Sequence, residues 1–195
     1  QIDDNSDNCP DVVNPLQTDS DQDGTGDLCE LVDNDHDGLL EIKTIYQLDL
    51  IRNNLEGSAL VDNDGNRNSL GCPEDTGCFG YELLADINFD TNNNGELDVE
   101  DAFYDSNDNK NDGINEGWDP LGDSVIAFSG TFEGNNHQII NLYVNQYSGF
   151  YMGLFGKAEN ATFRNIRFNG TLSKVQGRAY IGSLVGKAID SNISQ

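Results

Sequence analysis

The sequence predicts a mainly β protein in which calcium-binding loops form a rod that leads into the stacked coils of a β-solenoid, with one short helix. Three observations carry this expectation. Acidic residues recur at the alternate spacing of calcium loops between residues 19 and 101. The last third repeats short strand-like runs between regular glycines. Helical periodicity is confined to residues 44–54.

Charge sets the first boundary. The chain has 195 residues, of which 36% are apolar, and its 35 acidic against 10 basic residues give a formal charge of −25 at pH 7. Such a surface repels phosphates and anionic lipid heads, so neither nucleic acid nor membrane insertion is expected. No run approaches the ~20 apolar residues of a spanning helix. A compact chain this acidic repels itself unless cations neutralise the carboxylates, and the spacing of the acids points to cations. The start, Gln1-Ile2-Asp3-Asp4, shows no leader pattern, and the sequence stops within a repeating pattern at Ile193-Ser194-Gln195. A fragment or processed form is expected.

The sharpest loop is Asp19-Ser20-Asp21-Gln22-Asp23-Gly24-Thr25-Gly26-Asp27-Leu28-Cys29-Glu30. Calcium takes six to eight oxygens, and alternate residues of a tight loop can point theirs inward. Asp19, Asp21 and Asp23 would supply side-chain oxygens and Thr25 its carbonyl. Asp27 would act directly or through water, and Glu30 by both oxygens, while Gly24 permits the turn. A second loop, Asp33-Asn34-Asp35-His36-Asp37-Gly38-Leu39-Leu40-Glu41, offers Asp33, Asp35, Asp37, the Leu39 carbonyl and Glu41 at the ninth position; its twelfth is Thr44. A third runs from Asp90 to Asp101 and offers Asp90, Asn92, Asn94, the Glu96 carbonyl, Asp98 and Asp101. Its two asparagines lower both charge and expected affinity. Weaker acidic knots lie at Asp62–Asp64 and Asp105–Asp112. Magnesium rejects such flexible multi-carboxylate cages.

Four cysteines allow three pairings. The two local ones, Cys9–Cys29 and Cys72–Cys78, are expected, since no Cys-x-x-Cys supports zinc. Paired cysteines point outside the cytosol. Thr44 is a good helix N-cap, with Ile45, Leu48, Ile51 and Leu55 on one face and Gly57 as a stop. Residues 81–84 and 87–89 suggest strands. In the last third, residues 153–158 return at 182–188, with Leu154 and Leu184 thirty positions apart. Phe128, Phe132, Ile139, Leu142, Leu154, Phe155, Phe163, Ile166, Ile181, Leu184 and Val185 are the expected core, and glycines there serve positive φ or close packing. The predicted organisation is therefore a calcium-loop region over 1–43, an α+β junction with a calcium loop over 44–126, and solenoid coils over 127–195.

Asp7-Asn8-Cys9-Pro10, Asn14, Gln17 and the Asp19–Cys29 run together resemble a thrombospondin type-three repeat over residues 3–30. That resemblance implies a calcium-wrapped, disulfide-tied rod. Gly130-Thr131-Phe132-Glu133-Gly134-Asn135-Asn136-His137, then Asn141-Leu142 and Gly153-Leu154-Phe155-Gly156, are similar to the GLUG-type repeat of large bacterial surface proteins. GLUG-type repeats also accompany metallopeptidases, but no His-Glu-x-x-His occurs here.

These features together predict a calcium-stabilised, adhesive, non-enzymatic segment, secreted or at the cell surface. The alternatives are a carbohydrate-binding or carbohydrate-cleaving solenoid and a subunit of an extracellular filament. A cleaving site needs two positioned carboxylates, whereas Glu133, Glu159 and Asp190 are expected as isolated, solvated turn residues. Tyr143, Tyr147, Phe150 and Tyr151 suggest a ridge for a surface glycan or protein ligand. The blunt end of the repeat suggests end-to-end self-association.

Overall fold

A computed structural model of the chain describes residues 7–9, 16–19, 24–26, 29–58, 71–104 and 115–195. Among the described residues the protein is mainly β with one short helix. Strand β1 (Leu39–Ile42) precedes helix α1 (Ile45–Leu50) and a 3-10 turn at Ile51–Asn53, followed by β2 (Gly80–Leu83) and β3 (Ile87–Asn88). Eleven further short strands follow: β4 (Thr131–Glu133), β5 (Gln138–Ile140), β6 (Tyr143–Asn145), β7 (Phe150–Met152), β8 (Phe155–Glu159), β9 (Thr162–Arg164), β10 (Arg167–Asn169), β11 (Lys174–Gln176), β12 (Ala179–Ile181), β13 (Val185–Ile189) and β14 (Asn192–Ser194).

Each of these strands pairs in parallel with its neighbours. One sheet runs β1-β2-β4-β9-β14 and another β10-β5-β3, with two-stranded ladders β11-β6, β12-β7 and β13-β8. The registers follow the repeat. Thr131 lies beside Thr162, Gln138 beside Arg167, Tyr143 beside Lys174, Phe155 beside Val185 and Thr162 beside Asn192. Parallel strands need long connections, and here the chain passes once through each of the other four ladders between β4 and β9 and again between β9 and β14. The five-stranded sheet takes strands from all three stretches that the sequence distinguishes. Between β1, β2 and β4 the intervals are longer, Leu39 pairing with Gly80 and Gly80 with Thr131.

The core is one cluster of buried residues shared by these sheets. Phe128, Phe132, Phe155 and Phe163 are fully buried, and their rings stand 4.6–5.5 Å apart in tilted and edge-on pairs. Ile139, Leu142, Leu154 and Ile166 are buried with them, as the sequence predicts. Leu184 and Val185 are only partly buried, and Ile181 is 49% exposed. Met152, its register partner on β7, is buried. The acidic stretch also contributes more core than its composition suggests, since Leu31, Leu40 and Ile42 are buried.

The corners of the repeat are asparagines more than glycines. Asn135 and Asn165, and Asn160 and Asp190, take left-handed backbone angles at matching places in successive circuits. Asn and Asp tolerate that region better than most residues. Glycine serves close approach here: a side chain at Gly153 would strike the Gly182 carbonyl, and one at Gly186 the backbone of Tyr151 and Met152. The helix forms where predicted. Thr44 accepts from the Gln47 N–H at 3.1 Å, and the helical segment ends at Asn53, ahead of Gly57.

Candidate metal centre

One contact recurs in the three acidic loops. In each, the carboxylate at the first position accepts a hydrogen bond from the N–H of the sixth-position glycine. The distances are 3.0 Å for Asp19 and Gly24, 2.8 Å for Asp33 and Gly38, and 3.0 Å for Asp90 and Gly95. The three glycines share φ of 99°, 92° and 88°, where a side chain would be strained. Asp21, Asp23 and Asp27 of the first loop lie outside the described residues, as do the acidic knots at 62–64 and 105–112. Of that loop, Asp19, Thr25 and a buried Glu30 are described.

The second loop gathers its acids most tightly. Carboxylate oxygens of Asp33, Asp35 and Asp37 all lie within 4.8 Å of one another, a spacing that could hold a metal ion. Asp33 is fully buried and also accepts from the Asp37 N–H at 3.2 Å. Burial raises its pKa, while the N–H groups of Gly38, Asp37 and His36 pull the other way. Asp37 accepts from the Leu39 N–H at 2.8 Å. Glu41, at the ninth position, folds back onto the second: it accepts from the Asn34 N–H at 3.3 Å and from the Asn34 side chain at 2.9 Å. The loop runs first into β1, which separates it from the Thr44 helix.

A disulfide-tied turn clamps this loop. Cys72 pairs with Cys78, and a Cys78 sulfur stands 3.8 Å from Asp33. The His36 ring nitrogen meets the Gly71 carbonyl at 2.6 Å, and a side chain at Gly71 would overlap the Asp33 carbonyl. Cys9 pairs with Cys29, so both local disulfides are present. Such bonds belong to oxidising, non-cytoplasmic surroundings.

The third loop is tied by its own amides. Asp101, at the twelfth position, accepts from the Thr91 and Asn92 N–H groups at 2.6 and 3.3 Å, the place Glu41 takes in the second loop. Asn92 accepts from Asn94 N–H at 2.9 Å, and Asn94 from Glu96 N–H at 2.8 Å. The Asn94 side chain then donates to Asp98 at 2.9 Å. The Glu100 N–H and that amide hold the Asp98 carboxyl below its ordinary pKa.

Two acids escape the sequence pattern. Glu41, Glu82 and Glu133 lie side by side on β1, β2 and β4, all buried, with Arg164 next in register. Lys43 closes one end at 2.5 Å from Glu41, and Arg164 the other at 3.2 Å from Glu133. Glu133 is thus a buried, paired strand residue and not a solvated turn residue. Glu82, in the middle, accepts from Asn135 at 2.6 Å. Burial raises its pKa, as do the charges of Asp37, Asp35 and Glu41, against the Asn135 bond that lowers it. Glu82 is therefore a further carboxylate within the field of the second loop. No local motif marks it, because its partner Glu41 is 41 residues away.

No family model matches this chain, and no solved structure matches it. It is 39% identical over 72 residues, 36% of its own length, to an Evansella cellulosilytica protein whose name describes it as a Gly-rich membrane protein. The match spans 8% of that protein's length. Among the described residues, no helix is long and apolar enough to cross a membrane.

Proposed function

We propose that this chain is a calcium-stabilised structural and adhesive segment of a large extracellular or surface bacterial protein, without enzymatic activity of its own. In this reading its parallel ladders are successive coils of a β-solenoid, and its N-terminal stretch is a calcium-loop rod of the thrombospondin type-three kind. The observation that carries it is the contact made three times between a carboxylate at a loop's first position and the glycine N–H at its sixth. Calcium needs such oxygen-rich, flexible cages. In the second loop Asp33, Asp35, Asp37, the Leu39 carbonyl and Glu41 would hold the ion. In the third the holders would be Asp90, Asn92, Asn94, the Glu96 carbonyl, Asp98 and Asp101.

The second loop's place in the fold gives the ion its purpose. β1 begins at Leu39, directly after the loop, and is the edge strand of the five-stranded sheet. The Glu41 N–H is satisfied by the Val32 carbonyl at 2.9 Å, so the segment before the loop covers that edge. Open edges invite pairing with other chains. A cation at Asp33–Glu41 would fix the cap and neutralise the carboxylates that otherwise push it apart.

Calorimetric titration of calcium into the chelator-treated chain, followed in parallel by circular dichroism, tests this. At least two binding sites, with ordering of the N-terminal half, are expected. An absence of binding heat, with an unchanged fold in chelator, would overturn it.

A further inference from the structure

The charge of this chain is unevenly shared. Residues 1–133 hold 33 acidic and four basic residues, whereas residues 134–195 hold two acidic and six basic. Three cations of the last circuit lie over aromatic rings. Lys174 Nζ stands 5.6 Å from the Tyr143 ring centre, the Arg178 guanidinium carbon 5.2 Å from Phe150, and Lys187 Nζ 5.2 Å from Tyr180. Among the described residues none of the three forms an ion pair, in a chain with 35 acids.

The rings connect two of these cations. Phe150 and Tyr151 centroids are 6.4 Å apart, and Tyr151 stacks on Tyr180 at 5.1 Å with an interplanar angle of 11°. Arg178, Phe150, Tyr151, Tyr180 and Lys187 thus form one continuous ridge over β7, β12 and β13. Burial does not explain it, since Phe150 and Tyr180 are 46% and 50% exposed. Tyr151 and Tyr180 both hold left-handed φ, 63° and 56°, which bulky residues seldom adopt.

We propose that this ridge binds an acidic polysaccharide built of uronic acids. Guanidinium takes a carboxylate through two parallel hydrogen bonds, and ammonium through one charge. Aromatic rings pack against the apolar faces of sugars while staying wet at their edges. The geometry also suits a polymer. Tyr151 and Tyr180 stack at 5.1 Å on neighbouring strands, and the ~4.8 Å spacing of such strands is close to the advance of one sugar in an extended chain. The inference rests on the adhesive reading for its setting, and it does not depend on the calcium loops.

The test is binding of a soluble oligogalacturonate, too short to gel with calcium, to the full chain. A neutral cello-oligosaccharide, a heparin oligosaccharide and anionic phospholipid vesicles serve as comparisons. We expect binding to the uronate in preference to all three. R178Q/K187Q should weaken it at least tenfold. Y180S, which leaves every charge in place, should weaken it by a similar factor, with the calcium heats of both variants unchanged. Failure of the uronate to bind would overturn the proposal. So would binding that ignores Y180S and is matched by heparin, which is ion exchange, or tighter binding to vesicles. If calcium heats vanish while uronate binding persists, the calcium reading falls and the ridge stands.

Discussion

The loops at Asp33–Glu41 and Asp90–Asp101 fold the same turn and hold it by different means. The first brings three aspartates within 4.8 Å and has Glu41 folded back over its second position. It is clamped from outside by the Cys72–Cys78 turn, the Gly71 carbonyl and Phe79. The second replaces two of those acids with Asn92 and Asn94, whose amides supply donors as well as acceptors. Its Gly95 stands in open space. A carboxylate only accepts, so a loop of carboxylates needs an outside cation to bring its oxygens together. An amide does both, so the Asn-rich loop satisfies itself. The Asp33–Glu41 loop should therefore depend on calcium for its shape, and the Asp90–Asp101 loop much less.

The largest effect that would separate them is removal of the first-position acid. Asp33→Ala takes away a buried acceptor of two N–H groups, each bond to a charged group being worth roughly 1.5–3 kcal/mol. It should also abolish stabilisation by calcium at that loop, about 2.7 kcal/mol at a hundredfold excess over Kd. Asp90→Ala should cost the same class of bonds but a smaller calcium increment. Urea denaturation of each variant, with calcium and with chelator, reads both quantities. Equal calcium increments would break the comparison.

The sixth-position glycines give a smaller contrast. Both are left-handed, so alanine at either costs on the order of 1 kcal/mol in strain. At Gly38 the added carbon would also meet the Phe79 ring, whereas at Gly95 it meets nothing within 4 Å. Gly38→Ala should therefore destabilise by about 1–3 kcal/mol more than Gly95→Ala, as overpacking does elsewhere. Thermal unfolding of the two variants in chelator measures the difference. A Gly95→Ala loss as large as that of Gly38→Ala would mean the third loop is packed as tightly as the second.

What the sequence could reveal follows from the range of each interaction. The three turns were legible because the residues that make them are at most twelve positions apart. The β8–β13 ladder was legible because the chain states that run twice, as at Leu154 and Leu184. The pairing of β1 with β2 and of β2 with β4 was not. Those circuits are longer than the repeat and contain the acidic insertions, so no self-similarity announces the register. Glu82 and Glu133 were missed for that reason: what buries them is each other's strand. Ile181 was misplaced as well, since repetition marks the position that matches buried Met152 but not how deeply it lies.

The smallest expected contrast is in pH. Protons compete with calcium for carboxylates. Burial raises the pKa of Asp33 from its ordinary value, while hydrogen bonds lower that of Asp98. In the metal-free fold Asp33 keeps its proton to higher pH than the unfolded chain does. Its contribution to stability therefore declines as pH rises through that window and returns on acidification. Calcium has the opposite sign, because it needs the charged form. Titrating calcium into Asp90→Ala and Asp33→Ala from neutral pH down to about pH 5 compares the two loops, since each variant retains one of them along with the first loop. The variant retaining Asp33 should begin to lose affinity at the higher pH. Identical profiles would mean that the burial of Asp33 is relieved before the ion arrives, and that the clamp around it closes only with calcium in place.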